Sequence, residues 1–254
     1  MVVLLSSEWR ARSGARKRDE RRWTQHIRSC GRRYAYSPLV PDWAQLHARA
    51  VGRYEDGAAR LPDDPDARQR QLTRMGNAAC AAGLAELMSG ADGSAWFARA
   101  AQRYRQSWEH APPESWGRPI GAIKARLLAG DWDGAADDAR WALDVGAAKS
   151  QSPVSRYAAA LAYGVLGDWD DVRVHAGYAR THDTFPSEVA DALAFVAAED
   201  VVGYVEAVEA VLESFENRDV YLEDMPIADT VLVLQALAAR RGMAAPELES
   251  ELLP

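Results

Sequence analysis

The tetrapeptide Gly-Asp-Trp-Asp occurs at Gly130–Asp133 and again, 37 residues later, at Gly167–Asp170. The likeness runs past the tetrapeptide. The same shift pairs Ala122 with Ala159, Ala125 with Ala162, Ala139 with Ala176 and Ala142 with Ala179, and it sets Tyr178 where Trp141 stands. Small residues matched on both sides of a turn, within sequence of helical character, indicate a duplicated helical hairpin. Self-similarity at this period is the mark of units that bury their apolar faces by stacking on neighbours. The expected fold is therefore all-α, with antiparallel helical hairpins stacked along the chain.

Periodicity places the elements. Asp42 is a good N-cap for a helix carrying Trp43, Leu46, Ala50, Val51 and Tyr54 at near-helical spacing. Leu61-Pro62-Asp63-Asp64-Pro65 breaks the chain before a long helix over 66–88, and Ser94 can cap the next, through Trp108. Residues 116–129 and 134–145 form the first repeated hairpin, and 153–166 and 171–180 the second. A weaker third copy spans 187–198 and 201–215, with Glu199-Asp200 near the place of Asp131-Trp132 and with Ala207 and Ala210 matching Ala139 and Ala142. Pro226 suits the first turn of a last helix over 227–241, ended by Gly242, and the apolar Leu252-Leu253 end can dock on it.

The repeated tetrapeptide has a structural reading. Gly130 and Gly167 end a helix where positive φ is needed. Asp131 and Asp168 accept hydrogen bonds from the first amides of the next helix. Trp132 and Trp169 fold back as wedges between paired helices, and the alanines allow close approach.

Charge divides the chain in two. Residues 1–33 hold ten Arg or Lys against three acidic residues, a balance of +7, whereas the remaining residues hold 20 basic and 34 acidic, a balance of −14. Residues 1–40 are read as a basic, flexible extension ahead of one helical domain over 41–254. An acidic body argues against nucleic-acid binding through the repeats and fits a basic protein partner; the basic head is the one segment suited to nucleic acid or to an acidic partner. Apolar surface in the head is too sparse to offset its ordering entropy, so a chain starting at Ser37 is expected to keep full helicity and an unchanged melting temperature. Loss of cooperative unfolding in that shortened chain would show that the head packs on the body. No run approaches the roughly 18 apolar residues of a membrane span, and Val2–Leu5 is too short for a signal-peptide core. The expected location is the cytoplasm, with no membrane partner. Only three of the 30 basic residues are Lys, the bias of a GC-rich prokaryotic genome.

The segment Gly130-Asp131-Trp132 followed by Ala135, Ala139, Ala142 and Leu143 resembles the tetratricopeptide repeat, which uses Gly, an aromatic and small residues at these relative places. The match is good over 121–145, weaker over 158–180, where Val172 replaces a small residue, and weakest over 189–212. The resemblance implies a right-handed hairpin array used for protein binding. A second likeness covers about residues 70–254. Trp116-Gly117-Arg118-Pro119, the hairpins after it and the run Tyr221-Leu222-Glu223-Asp224-Met225-Pro226-Ile227-Ala228-Asp229-Thr230 resemble the immunity protein 49 family of bacterial polymorphic-toxin systems. That resemblance implies an all-helical protein that neutralises a toxin encoded beside it. The basic head departs from it.

Motifs for chemistry are lacking. The five histidines, His26, His47, His110, His175 and His182, include no HExxH pair, and surface or capping roles are expected for His175 and His182. Cys30 and Cys80 are not in a CxxC, no GK[ST] loop follows Gly130–Gly134, and no serine sits in GxSxG. No cofactor and no metal are expected, and the chain reads as a non-enzyme. Asp137-Asp138 and Glu206/Glu209 look like solvated helix faces. First helices of repeat hairpins usually line a concave surface; their large polar residues, Arg118, Lys124, Arg126, Arg156, Tyr157, Tyr163 and Asp191, are the candidate partner contacts. Tyr221, Glu223, Asp224 and Asp229 form a candidate acidic rim, with Glu223 and Asp224 expected to be exposed.

The expected function is a non-catalytic protein-binding module, with toxin immunity by direct binding of a basic toxin domain as its most concrete form. Two alternatives stand beside it. One is a regulatory or scaffolding module whose basic head makes the contact. The other is an enzyme with an unrecognised helical active site, marked by a deep pocket gathering several buried acidic or His residues.

Overall fold

The computed structural model describes residues 41–244 and 246–254, so the expectations for residues 1–40, His26 and Cys30 among them, lie outside the described residues. Within these, ten α-helices follow one another and there is no strand. They are α1 (Trp43–Ala59), α2 (Pro65–Met88), α3 (Ser94–Trp108), α4 (Gly117–Leu128), α5 (Trp132–Asp144), α6 (Pro153–Leu166), α7 (Trp169–Arg180), α8 (Ser187–Ala198), α9 (Val201–Glu216) and α10 (Asp229–Arg240). None of the helices is long and apolar enough to cross a membrane.

Caps explain the starts. Asp42, Asp64, Asp131 and Asp200 each accept from the amide three residues on, at 2.7–3.0 Å. Asp168 does not: its side chain makes no cap bond, and α7 begins on three acidic or aromatic residues, Trp169, Asp170 and Asp171. Ser94 is not the cap of α3 either. Asp92 Oδ1 accepts from the Ser94 amide at 2.9 Å, and Gly93 takes the cap position. Gly130 and Gly167 turn the chain at φ 68° and 87°, as the tetrapeptide predicts.

In the third hairpin the register differs by one residue from the alanine match. Asp200 caps α9 as Asp131 caps α5, so Glu199 takes the glycine place at φ 56°. Val208 and Val211, both fully buried, then stand where Ala139 and Ala142 stand, and an exposed Val201 replaces the tryptophan. Larger side chains at the hairpin contact replace the alanines that bring α5 and α7 close to their partners, which is why the sequence match fades here.

Each helix packs on the next in the chain. Beyond that, α4 touches α6, and α6 touches α8, so these three form one row, and α10 runs back against α4, α8 and α9. Leu237 of α10 also reaches α6, with its side chain about 3.5 Å from the position a Cβ on Gly164 would take. The last helix therefore covers the row formed by the first helices of the three hairpins. It starts at Asp229, not at Pro226: the Ala228 amide donates to the Leu252 carbonyl at 3.0 Å, and Met225 and Ile227 are buried in an extended strap. The C-terminal apolar end thus docks at the start of α10.

The far end of α10 meets all three hairpin turns. Arg240 lies over the Trp132 ring at 5.1 Å and Arg241 over the Trp169 ring at 4.9 Å. Arg241 also pairs with Glu199 at 2.7 Å and donates to the Ala197 carbonyl. Both tryptophans are half-buried, each with one face on the core and one under a guanidinium. Trp132→Ala is expected to cost about 2–3 kcal/mol, below the value for a fully buried ring because part of it stays in water. An unchanged thermal melt would mark Trp132 as a surface contact instead.

Candidate functional site

Where the strap crosses between α9 and α10, it roofs a pocket of about 140 Å³. The floor comes from α2 and α4. Tyr104 of α3 inserts between them, because Gly76 and Gly121 leave room for its ring: a Cβ at either position would stand 2.9 or 2.7 Å from a ring carbon. Tyr104 donates to Asn77 Oδ1 at 2.9 Å, and burial holds its hydroxyl well above the usual tyrosine range. Cys80 lies beside it, and burial pushes its thiol up to about 12, so it is a protonated, inert group. Ile120, Leu84, Val189 and Phe185 supply apolar walls.

The charged groups divide into paired and unpaired. Lys124 bonds Asp229 at 2.6 Å and Thr230 Oγ1 at 3.0 Å. Glu223 accepts from Arg53 of α1 at 2.6 Å, and its carbonyl accepts from Arg49 at 3.2 Å. Arg218, just past α9, has no ion pair among the described residues. Its Nε donates to the Ser214 carbonyl at 3.2 Å, and its guanidinium lies 3.7 Å from the centre of the Phe215 ring. Burial lowers its pKa, against the pull of Asp229, Tyr221 and Glu188. Tyr157 is buried, with its pKa raised by burial, and its hydroxyl has no partner among the described residues.

The strap itself is strained. Glu223 and Asp224 sit in succession at φ 55° and 57°, a conformation that costs a non-glycine residue on the order of 1 kcal/mol or more. Arg49 and Arg53 hold both carboxylates, Asp224 at 3.3 and 3.7 Å. The Glu223 side chain is only 19% exposed, against 65% for Asp224, so the expectation of two exposed rim carboxylates is corrected for Glu223. Closure of the strap onto α1 is what buries it.

Apart from Asp224, exposed on the rim, the candidate residues fall into two groups. Lys124, Tyr157, Tyr221, Glu223 and Asp229 come together around the pocket. Tyr221 closes one side, its hydroxyl donating to the Phe215 carbonyl at 2.7 Å. The others are spent within the scaffold. Arg118 is 8% exposed and tied to Thr73 and Gln69 of α2. Arg126 bonds Asp131 at 2.8 Å and Asp138 at 3.3 Å. Arg156 donates to the Ala148 carbonyl, shares a hydrogen bond with His175 Nδ1 and lies under Tyr178. Tyr163 stacks on His175, with centroids 5.3 Å apart, and Asp191 pairs with Arg180 at 2.5 Å.

Two expectations of exposure are overturned. His175 is buried, not a surface or capping group, because Tyr163 and Arg156 enclose it; burial and then Arg156 depress its pKa. Asp138 is 2% exposed, since Arg105 from α3 and Arg126 from α4 both reach it, while its neighbour Asp137 is on the solvated face. Arg218, Asn77 and Phe185 were not singled out by sequence. Arg218 follows α9 in a stretch that reads as a connection, and nothing local ties it to Tyr157, 61 positions earlier.

Among the described residues no histidine lines the pocket, its two carboxylates are both in ion pairs, and no three His, Cys, Asp or Glu side chains are grouped to hold a metal ion. No protein-family model, no curated protein and no solved structure matches the chain.

Proposed function

We propose that this chain is a non-catalytic protein-binding protein of the cytoplasm, a right-handed tetratricopeptide-like hairpin array, and that its most concrete role is immunity: direct binding of a basic toxin domain. The observation that carries the reading is the outer face of α9. Val202, Glu206, Glu209, Glu213 and Glu216 recur there at helical spacing and are exposed, and the helix has no basic residue. Glu206, Glu209 and Glu213 have no ion pair among the described residues. Like charges three and four apart destabilise a helix by a few tenths of a kcal/mol per pair, a cost that a basic partner relieves. Val202, 71% exposed, supplies an apolar anchor at the end of the stripe. Because α10 covers the row of α4, α6 and α8, the partner meets the outer surface rather than an inner groove.

Such a surface steers encounters over a distance set by salt. Glu206→Gln, Glu209→Gln and Glu213→Gln combined are expected to slow association about tenfold at low ionic strength and to change dissociation little, since rim charges act mainly on the on-rate. Stopped-flow binding at two salt concentrations decides this; an on-rate indifferent to salt and to the substitutions sinks the acidic-surface reading. The immunity role is tested by co-expression with the product of the neighbouring gene. Co-purification and rescue of growth support it, and a neighbour that is harmless when expressed alone removes it.

A further inference from the structure

We infer that the pocket beneath the strap is a binding site for a small organic carboxylate with a compact apolar body, a role separate from the protein-binding face on α9. Three observations converge. First, three polar side chains in the pocket have donor capacity to spare among the described residues. Among the described residues, the Arg218 guanidinium has both terminal nitrogens free, the Tyr157 hydroxyl has no partner, and Asn77 uses its oxygen for Tyr104 and leaves its amide nitrogen open. The two carboxylates, by contrast, are each in an ion pair, Glu223 with Arg53 and Asp229 with Lys124.

Second, Arg218 has no direct counter-ion. The two carboxylates of the pocket are paired with Arg53 and Lys124, and Asp229 and Glu188 act on Arg218 only at a distance, without an ion pair among the described residues. A buried cation without a counter-ion is costly, and a planar guanidinium with both ends free matches a carboxylate in two parallel hydrogen bonds. Third, the size and walls select the rest of the ligand. A pocket of about 140 Å³ is close to the roughly 150 Å³ engineered cavity that accommodates benzene. Phe185, Leu84, Ile120 and Val189 offer it an apolar lining.

Benzoate is the probe that matches all three, and benzamide is its neutral counterpart of the same shape. For a ligand of this size, binding on the order of millimolar is expected. Titration calorimetry on the full chain should give saturable benzoate binding, with benzamide at least tenfold weaker. Arg218→Gln should weaken benzoate at least tenfold and leave benzamide unchanged. Tyr157→Phe, which keeps the ring against Phe185, should weaken benzoate several-fold and provides a second variant should Arg218→Gln fail to fold. Arg180→Gln, outside the pocket, should change nothing. Equal binding of benzoate and benzamide would overturn the proposal by reducing the site to an apolar cavity. Inorganic phosphate binding as well as benzoate, with the same loss in Arg218→Gln, would overturn the carboxylate class. No saturable benzoate binding to the unmodified chain would overturn it outright.

Discussion

A chain that ends at Met225 is expected to lose cooperative unfolding altogether. The removed segment carries Ile227, Val231, Val233, Leu234, Leu237 and Met243, all buried, and the contacts of α10 with α4, α8 and α9 go with them. Burying a side chain of this kind contributes about 1.5–3 kcal/mol, so six of them outweigh much of the roughly 5–15 kcal/mol by which a domain is stable. Loss of the segment also opens the Lys124–Asp229 pair and frees the strap that Arg49 and Arg53 hold. A single substitution gives the graded version: Leu237→Ala, at a position with no exposure, should cost about 3–4 kcal/mol. Urea unfolding followed by far-ultraviolet circular dichroism separates the outcomes. A truncated chain with an unchanged midpoint would mean that α10 is held loosely over the row, and the inner surface would then return as a candidate partner groove.

That result bears on what the sequence could foretell. Hairpin boundaries were legible because local chemistry sets them: glycine where φ must be positive, aspartate at the amides, proline at the breaks. The ten described helices fall close to their expected places, and the repeat located the turns at Gly130 and Gly167. Arrangement beyond the neighbouring helix was not legible. Lys124, on a first helix, reads as a groove residue until α10 folds back and supplies Asp229, 105 positions later. Arg118 reads the same way until Gln69 and Thr73 of α2 receive it. A polar residue at a helix face is equally compatible with solvent, partner or an internal counter-charge, and only the tertiary contact decides which. The pocket is the extreme case, since its free donors come from α2, α6 and the end of α9, and no local pattern links them. The third hairpin failed for a different reason: Glu199 adopts the left-handed conformation that glycine would favour, so the strongest turn signal was missing.

Asp138 gives the sharpest example and the second large effect. It adjoins Asp137 in the sequence, yet it is nearly without exposure and joins three helices, with Arg105 Nη1 at 2.8 Å and Arg126 Nε at 3.3 Å. Asp138→Ala leaves both guanidiniums facing an emptied site. Arg126 retains Asp131, and Arg105, about half exposed and lying over Trp141, can turn to water, so the cost is expected near 2–3 kcal/mol rather than the 3–5 of a fully buried pair. Asp138→Asn keeps the shape but only one of the two acceptor oxygens, and its amide nitrogen faces an arginine donor; Arg105, about half exposed, can turn to water, so the substitution should cost about 1–2 kcal/mol at neutral pH.

The pH dependence separates the two roles of this carboxyl. Burial raises its pKa above the ordinary aspartate value, and Arg126 and Arg105 only partly offset that. The folded protein therefore holds the proton more tightly than the unfolded chain does. The resulting contribution to stability is fully present below about pH 4 and is lost as pH rises through the folded value. Measured against Asp138→Asn, which lacks this titration, the unmodified protein should gain relative stability as pH is lowered from 7 through 5 toward 4, whatever the other carboxylates do in both proteins. Urea midpoints of the pair at those three pH values give the difference directly. A difference that moves the other way, with the unmodified protein losing ground as the pH falls, would mean that the two arginines stabilise the anion more than burial opposes it, and Asp138 would then be an electrostatic anchor whose loss of charge loosens α3, α4 and α5 together.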